Sequence, residues 1–301
     1  LYVTLDVTTD VIILTQTVVG ILGNFSLFCH YIILYFTGCR SRSTDVILQH
    51  LIVANFLTLL SKGVPQTMAA FGCKFSPSDF GCKLIFFLHR VGRGVSMGSI
   101  CLLSVFQVIT ISPQNSRWAE LKAKAPQHIV PSMCLCWMLQ MLVSVVFPVN
   151  ITGKYSDKNI TNRRDFGYCS ALRYDETRSI LLALLLLLPD VSCLGLMLWA
   201  SASMVFLLYR HKQSSPESRA TRTILFLVSS FIYFYTLSSI FQVILTFFDN
   251  PSWFLVNISA IMAAWFPTVS PFLSLFILCL VVSRSSSFTL SNTYSLFSLQ
   301  P

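Results

Sequence analysis

The sequence predicts an all-α membrane protein, a bundle of seven transmembrane helices, on three observations. Of its 301 residues 54% are hydrophobic and 11% charged, against about 25% charged in a soluble domain. Mean hydropathy is +0.69, so the chain needs lipid as its solvent. The apolar residues also fall into seven long runs, each near the roughly 20 residues that cross a hydrocarbon layer. The runs are residues 11–36, 47–71, 83–111, 128–149, 180–209, 223–248 and 256–282, joined by short polar or turn-forming segments such as TGCRSRSTD and DNPSW. Residues 1–282 are read as one membrane domain and 283–301 as a short Ser-rich tail expected to lack fixed structure.

The first run follows no basic segment and exceeds the length of a cleaved leader's apolar core, so it reads as a span that inserts itself. It carries Gly23 and Asn24; the second carries LIVAN, ending at Asn55, and Lys62. A carboxamide in lipid seeks partners on other helices, so Asn24 and Asn55 are expected to be structural, each facing the other's helix. The third run opens at Cys82 and holds His89, Arg90 and Arg93. The fourth holds Trp137, the fifth Pro189 and Asp190, and the seventh Pro271. Pro189 and Pro271 each free a helical carbonyl and are expected to bend their helices.

Orientation follows from loop charge. The odd-numbered connections and the tail carry ten basic residues, from Arg40 to Arg284, against seven in the even-numbered connections. That balance places the N-terminus outside. Two glycosylation sequons, at Asn150 and Asn159, fall in the long loop that this orientation makes lumenal. Sequons at Asn24 and Asn257 lie within or against spans and are not expected to be used. Cys169 in that loop and Cys82 share the oxidising side, which favours a bridge between them.

Other classes lack their signatures. The ten cysteines form no CxxC repeat, no HExxH or GxSxG occurs, and the basic residues form no stripe. No enzyme, metal site, cofactor or nucleic-acid partner is expected. A small-molecule transporter is the alternative within the membrane class, and no inverted repeat supports it.

Six features in order resemble the rhodopsin-like receptors: Gly23-Asn24, Asn55, the outer cysteine pair Cys82 and Cys169, Trp137, Pro189 and Pro271. The departures narrow the resemblance. Phe106-Gln107-Val108 stands where an acidic-Arg-Tyr triplet is usual, Asn55 where Asp is usual, and Ser270-Pro271 where Asn-Pro is usual. The runs HLIVANF, GVPQTMAAFG, FLHRVGRGVSMGSICLLSVFQVITISP, SRWAELKAKAP, FGYCS, LMLWASASMVFLLYRHKQ, SPESRAT and FPTVSPF resemble the vomeronasal type-1 receptors, a family of G-protein-coupled pheromone receptors. The resemblance implies an outer disulfide Cys82–Cys169, a pheromone-like ligand within the bundle, an inhibitory or Go-class G protein on the inner loops, and the plasma membrane as location. The short connection RHKQSSPESRATR and the atypical stretch after Pro271 set a second reading beside it, a receptor fold that no longer signals.

The charges inside the spans mark the candidate ligand site. Each ionised side chain near mid-bilayer costs about 2.5–3.5 kcal/mol and demands a partner, water or a function. His89 and Arg93 are one helical turn apart, with Arg90 beside them, and Arg93 lies about 16 Å from Cys82 along the helix. Lys62, His89, Arg90 and Arg93 together form a positive field suited to an amphipathic organic anion. The bland alternative is an Arg93–Asp190 ion pair, with Lys62 reaching toward the surface and His89 bonded to a neighbouring helix.

Overall fold

The computed structural model describes residues 2–38, 43–72, 77–111, 119–153, 163–165, 168–172, 176–211, 216–247, 254–272 and 274–275. Seven long helices account for nearly all of them. They are α1 (Tyr2–Phe36), α2, α3 (Asp79–Ile111), α4 (Ala119–Ser144), α5 (Glu176–His211), α6 (Pro216–Phe247) and α7 (Phe254–Phe272). Helix α2 has three parts: an α-helical stretch Ser43–Thr58, a π turn Leu59–Gly63 and a second α-helical stretch Val64–Ala70. Six of the seven carry a stretch long and apolar enough to cross a membrane. The exception is α4, whose first half reads AELKAKAPQH. The tail and Asn159 lie outside the described residues.

The fourth span corrects the boundary read from hydropathy, residues 128–149. Helix α4 starts nine residues earlier because Ala, Glu, Leu and Lys are strong helix formers, and Lys124 Nζ bridges Glu120 Oε1 at 2.7 Å one turn apart. It ends at Ser144, and a 3-10 turn with Pro148 in its first turn, Phe147–Asn150, follows. Apolarity reports the span and not the helix that carries it.

The bundle is inverted relative to a soluble domain. Large apolar side chains such as Leu22, Phe25, Ile33, Leu135, Met138 and Leu142 point outward, as a lipid-facing surface requires. Helix α3 is the axis: every residue from Val91 to Ile100 is buried, and the core cluster around it draws Leu51 from α2, Met133 from α4, Met197 from α5, Phe231 from α6 and Phe266 from α7. Small residues make this possible. A Cβ on Gly94 would collide with the Gln140 side chain and one on Gly98 with the Cys136 thiol, so α4 packs directly on the α3 backbone.

One end of the bundle is closed by a three-stranded antiparallel sheet in the order β1 (Ile151–Gly153), β3 (Cys169–Leu172), β2 (Arg163–Asp165). Gly153 pairs with Cys169 and Asp165 with Ser170. A Cys82–Cys169 disulfide fastens β3 to α3, and the Gly153 N–H donates to Asp79 Oδ1 at 2.6 Å, fastening β1 to the same helix. Ile151 and Tyr168 are buried with the two half-cystines against Ile85 and Phe86.

Candidate functional site

Below the sheet, the polar residues of the spans converge on α7. Pro271 has no N–H to give, which leaves the Pro267 carbonyl one turn earlier without its helical donor. Asn24 Nδ2 supplies the missing bond at 2.8 Å and also donates to its own Gly20 carbonyl at 2.7 Å. Asn55 Nδ2 donates to Ser270 Oγ at 2.7 Å and its carbonyl accepts from Ser96 Oγ, joining α2, α3 and α7. The expectation that Asn24 and Asn55 face each other's helices is therefore corrected. Each reaches α7, because the two prolines and the serine there offer the unmet backbone and hydroxyl groups. Both asparagines are fully buried, as is Asn257, which accepts from Gln66 Nε2 at 2.8 Å; neither Asn24 nor Asn257 presents a sequon that could be glycosylated. Trp137 Nε1 donates to His50 Nδ1 at 3.2 Å and ties α4 to α2.

The four cationic candidates divide between two adjoining chambers, Lys62 and His89 in one and Arg93 in the other, with Arg90 lining neither. Arg93 is 6% exposed. Its guanidinium donates to Ser238 Oγ at 2.6 Å and Ser239 Oγ at 2.7 Å on α6, and lies 4.1 Å from the centre of the Tyr235 ring. Hydroxyls and a π face are what a delocalised cation accepts when no carboxylate is in reach. The Arg93–Asp190 ion pair is therefore not formed. Asp190, 7% exposed next to Pro189 on α5, lies near enough to Arg90 for the two charges to attract. Helical phase explains the exchange: Arg90 stands about 60° from Arg93 around α3 and so meets a different neighbour.

Lys62 departs from the bland alternative, since it lines a chamber between helices and does not reach toward the surface. It sits in the π turn, where the Val64 N–H bonds the Leu59 carbonyl and Pro65 follows with no N–H. The widened turn sets Lys62 beside Thr58 and Gln66 on one wall of a chamber. His89 from α3 lines the same chamber. Neither of its ring nitrogens makes a hydrogen bond of ordinary geometry, the backbone of Thr58 being the nearest polar group.

Two small chambers result. The first lies between α1, α2, α3 and α7, holds Lys62, His89, Gln16 and Gln66, and has about 10 Å³ of free volume. The second lies between α2, α3, α6 and α7, holds Arg93, Tyr235 and Ser238, and has about 20 Å³. They share Thr58 and Ala263 as a partition. Arg90 lines neither. Each has room for about one water, so an organic guest enters only if helices part.

Sequence reasoning missed Gln16, Gln66, Tyr235, Ser238 and Ser239. Gln16 and Gln66 were legible as carboxamides inside apolar runs. The α6 residues were not, because Ser and Tyr are common in spans and only the fold brings them to Arg93. At the far end of α3, Val108 packs against Ala200 and Met204 of α5, with Gln107 buried beside it. That contact is apolar where an acidic-Arg-Tyr triplet would place charge.

Comparison with known proteins bears on what this arrangement serves. Residues 7–282 match the model of the vomeronasal organ pheromone receptor family. The chain is 57% identical over 273 residues to the human protein named vomeronasal type-1 receptor 4, covering 86% of this chain and 91% of that one. It is 55% identical over 285 residues to human vomeronasal type-1 receptor 2, covering 90% and 71%. A more distant relative, the zebrafish (Danio rerio) olfactory receptor class A-like protein 1, is 28% identical over 271 residues, 86% of each chain.

Proposed function

We propose that this chain, which belongs to the vomeronasal organ pheromone receptor family, is a plasma-membrane receptor for an amphipathic organic anion whose head group engages Arg93. The single observation that carries the reading is a buried guanidinium clamped to α6 by two hydroxyls and a ring, with no carboxylate on it among the described residues. A sulfate or carboxylate would outcompete those neutral partners, since charge-assisted bonds are about twice as strong. Lys62 and Arg90 add to the positive field around it, His89 offers a hydrogen-bonding group in the adjoining chamber, and the aromatic residues Phe231, Phe234 and Phe266 of the second chamber suit an apolar body such as a steroid nucleus.

The same contact gives a route from ligand to signal. Arg93 holds α6 to α3, and a ligand that binds Arg93 only after it leaves Ser238 and Ser239 favours conformations in which α6 has moved. Among the described residues the contact at the other end of α3 is apolar, Val108 with Ala200 and Met204. In this reading the N-terminus is extracellular, Asn150 and Asn159 carry glycans, the disulfide-pinned sheet faces outward, residues 1–282 form the receptor domain, and the opposite loops meet lipid head groups and a Gi/Go-type G protein.

The test is a calcium or cyclic-nucleotide reporter in cells whose surface receptor is quantified, challenged with sulfated steroids. A pertussis-toxin-sensitive response that Arg93→Glu abolishes at equal surface density is expected. A response that survives charge reversal overturns the anion site. Silence from well-delivered receptor across acidic ligands favours the fold that no longer signals.

A further inference from the structure

We infer that the chamber walled by Lys62 and His89 is a binding site for a small monovalent anion, chloride by its size and its abundance in physiological media. The inference goes beyond the organic ligand proposed above and does not depend on it.

Four observations lead there. First, the chamber is charged and uncompensated. Lys62 lines it, Arg93 stands across the Thr58 and Ala263 partition in the second chamber, and no carboxylate is among the described lining residues. Asp190 on α5 and Asp10 on α1 are not in the wall. In the low dielectric of a helix bundle, like charges facing one another without a counter-ion are costly.

Second, polar groups of the wall lack hydrogen-bond partners. The Lys62 ammonium has three N–H groups, the His89 ring supplies one whichever tautomer it holds, and neither ring nitrogen is satisfied. The Gln16 carboxamide, 8% exposed with its oxygen unpartnered, can turn to present its NH₂. Thr17 and Thr58 are not available, since they donate to the Ile13 and Ala54 carbonyls at 2.8 and 2.9 Å.

Third, size selects the guest. A free volume of about 10 Å³ admits one water-sized species, which excludes an organic anion and leaves a monatomic ion, with the flexible Lys62 stem able to yield the few tenths of an ångström that chloride needs over water. The rest of the wall is methyl groups, from Ile13, Ala260, Ala263 and Ala264, which a weakly hydrated halide tolerates better than a hard oxyanion does.

Fourth, the local backbone is built for it. The π turn that brings Lys62 inward departs from α-helical pairing, and such turns recur at functional sites. Gly63 lets α1 close over the chamber, because a Cβ there would sit 2.8 Å from Thr17 Oγ1. An anion seated between Lys62, His89 and Gln16 would bind α1, α2 and α3 together and shield Arg93 from Lys62.

The experiment uses the full chain in lipid nanodiscs with no organic ligand. Its melting midpoint is followed as chloride replaces gluconate at constant ionic strength. A saturating rise of about 2–4 °C is expected, shared by bromide. Lys62→Met should lose it, and Lys124→Met, on the exposed end of α4 and outside the chamber, should keep it. Chloride NMR line broadening on the unmodified protein, reversed by bromide, reads binding directly and stands even if a variant does not fold. No halide-specific shift or broadening in the unmodified protein overturns the inference, as does a shift that Lys62→Met retains in full. Neither readout involves an agonist or a G protein, so a failure here leaves the receptor reading untouched, and a silent receptor leaves this site untouched.

Discussion

Replacing Asn24 by Ala should cost the bundle about 1–2 kcal/mol, and the cost should depend on Pro271. The magnitude follows from counting bonds. Asn24 Nδ2 makes two, to the carbonyls of Gly20 and Pro267. Gly20 keeps its helical donor, the Asn24 backbone N–H, so losing the side chain there is minor. Pro267 has no other donor from its own helix, because Pro271 occupies the position that would supply one. A buried carbonyl left bare costs about 1–3 kcal/mol, and interhelical bonds in membranes tend to the lower part of that range. Pro271→Ala restores the N–H that Pro267 lacks, so in that background Asn24→Ala should cost about 1 kcal/mol less. The assay is a double-mutant cycle by thermal or denaturant unfolding in detergent micelles, with all four proteins compared in the same detergent. Strictly additive losses would refute the reasoning, since they would mean that Asn24 does not substitute for the donor Pro271 lacks.

Three further outcomes are expected. Gly98→Leu should abolish surface delivery, because its Cβ already collides with the Cys136 thiol, and Cys136→Ala in the same chain should recover a measurable part of it by quantitative surface labelling. Cys82→Ser or Cys169→Ser frees a link between residues 87 apart in sequence; a loss of about 2–4 kcal/mol, read as retention inside the cell and an unchanged gel mobility on reduction, is expected from either change and from both together. Trp137→Phe removes the donor to His50 together with the pyrrole part of a ring packed on the core, so a loss of about 1–3 kcal/mol in unfolding free energy is expected, and none at all would show that neither the bond nor that packing contributes.

How much of this was legible in the sequence divides along physical lines. The spans were legible because hydropathy is a property of the segment, needing no knowledge of neighbours. The ends of α4 were not, since helix propensity in AELKAKA carries the helix beyond the apolar run. That Asn24, Asn55 and Arg93 must find partners followed from their burial in lipid; which partners they find did not. Asn24 goes to a carbonyl exposed by a proline far away in sequence, and Arg93 to two serines indistinguishable in the sequence from many others. Asp190 looked like the natural mate of Arg93 because charge and depth matched, but rotation around α3 gives it to Arg90. The π turn at Leu59–Gly63 had a trace in Pro65, although a proline alone does not say whether a helix kinks or widens.

Response to one ligand pair tests the central claim most directly: a sulfated steroid and its uncharged parent alcohol, each titrated on unmodified receptor and on Arg93→Gln at matched surface density. An anion head on Arg93 predicts that the unmodified receptor prefers the sulfate and that Arg93→Gln loses about ten-fold or more in sulfate potency, while the weak response to the alcohol stays where it was. Equal loss for both ligands, or a sulfate preference that persists in Arg93→Gln, would contradict it.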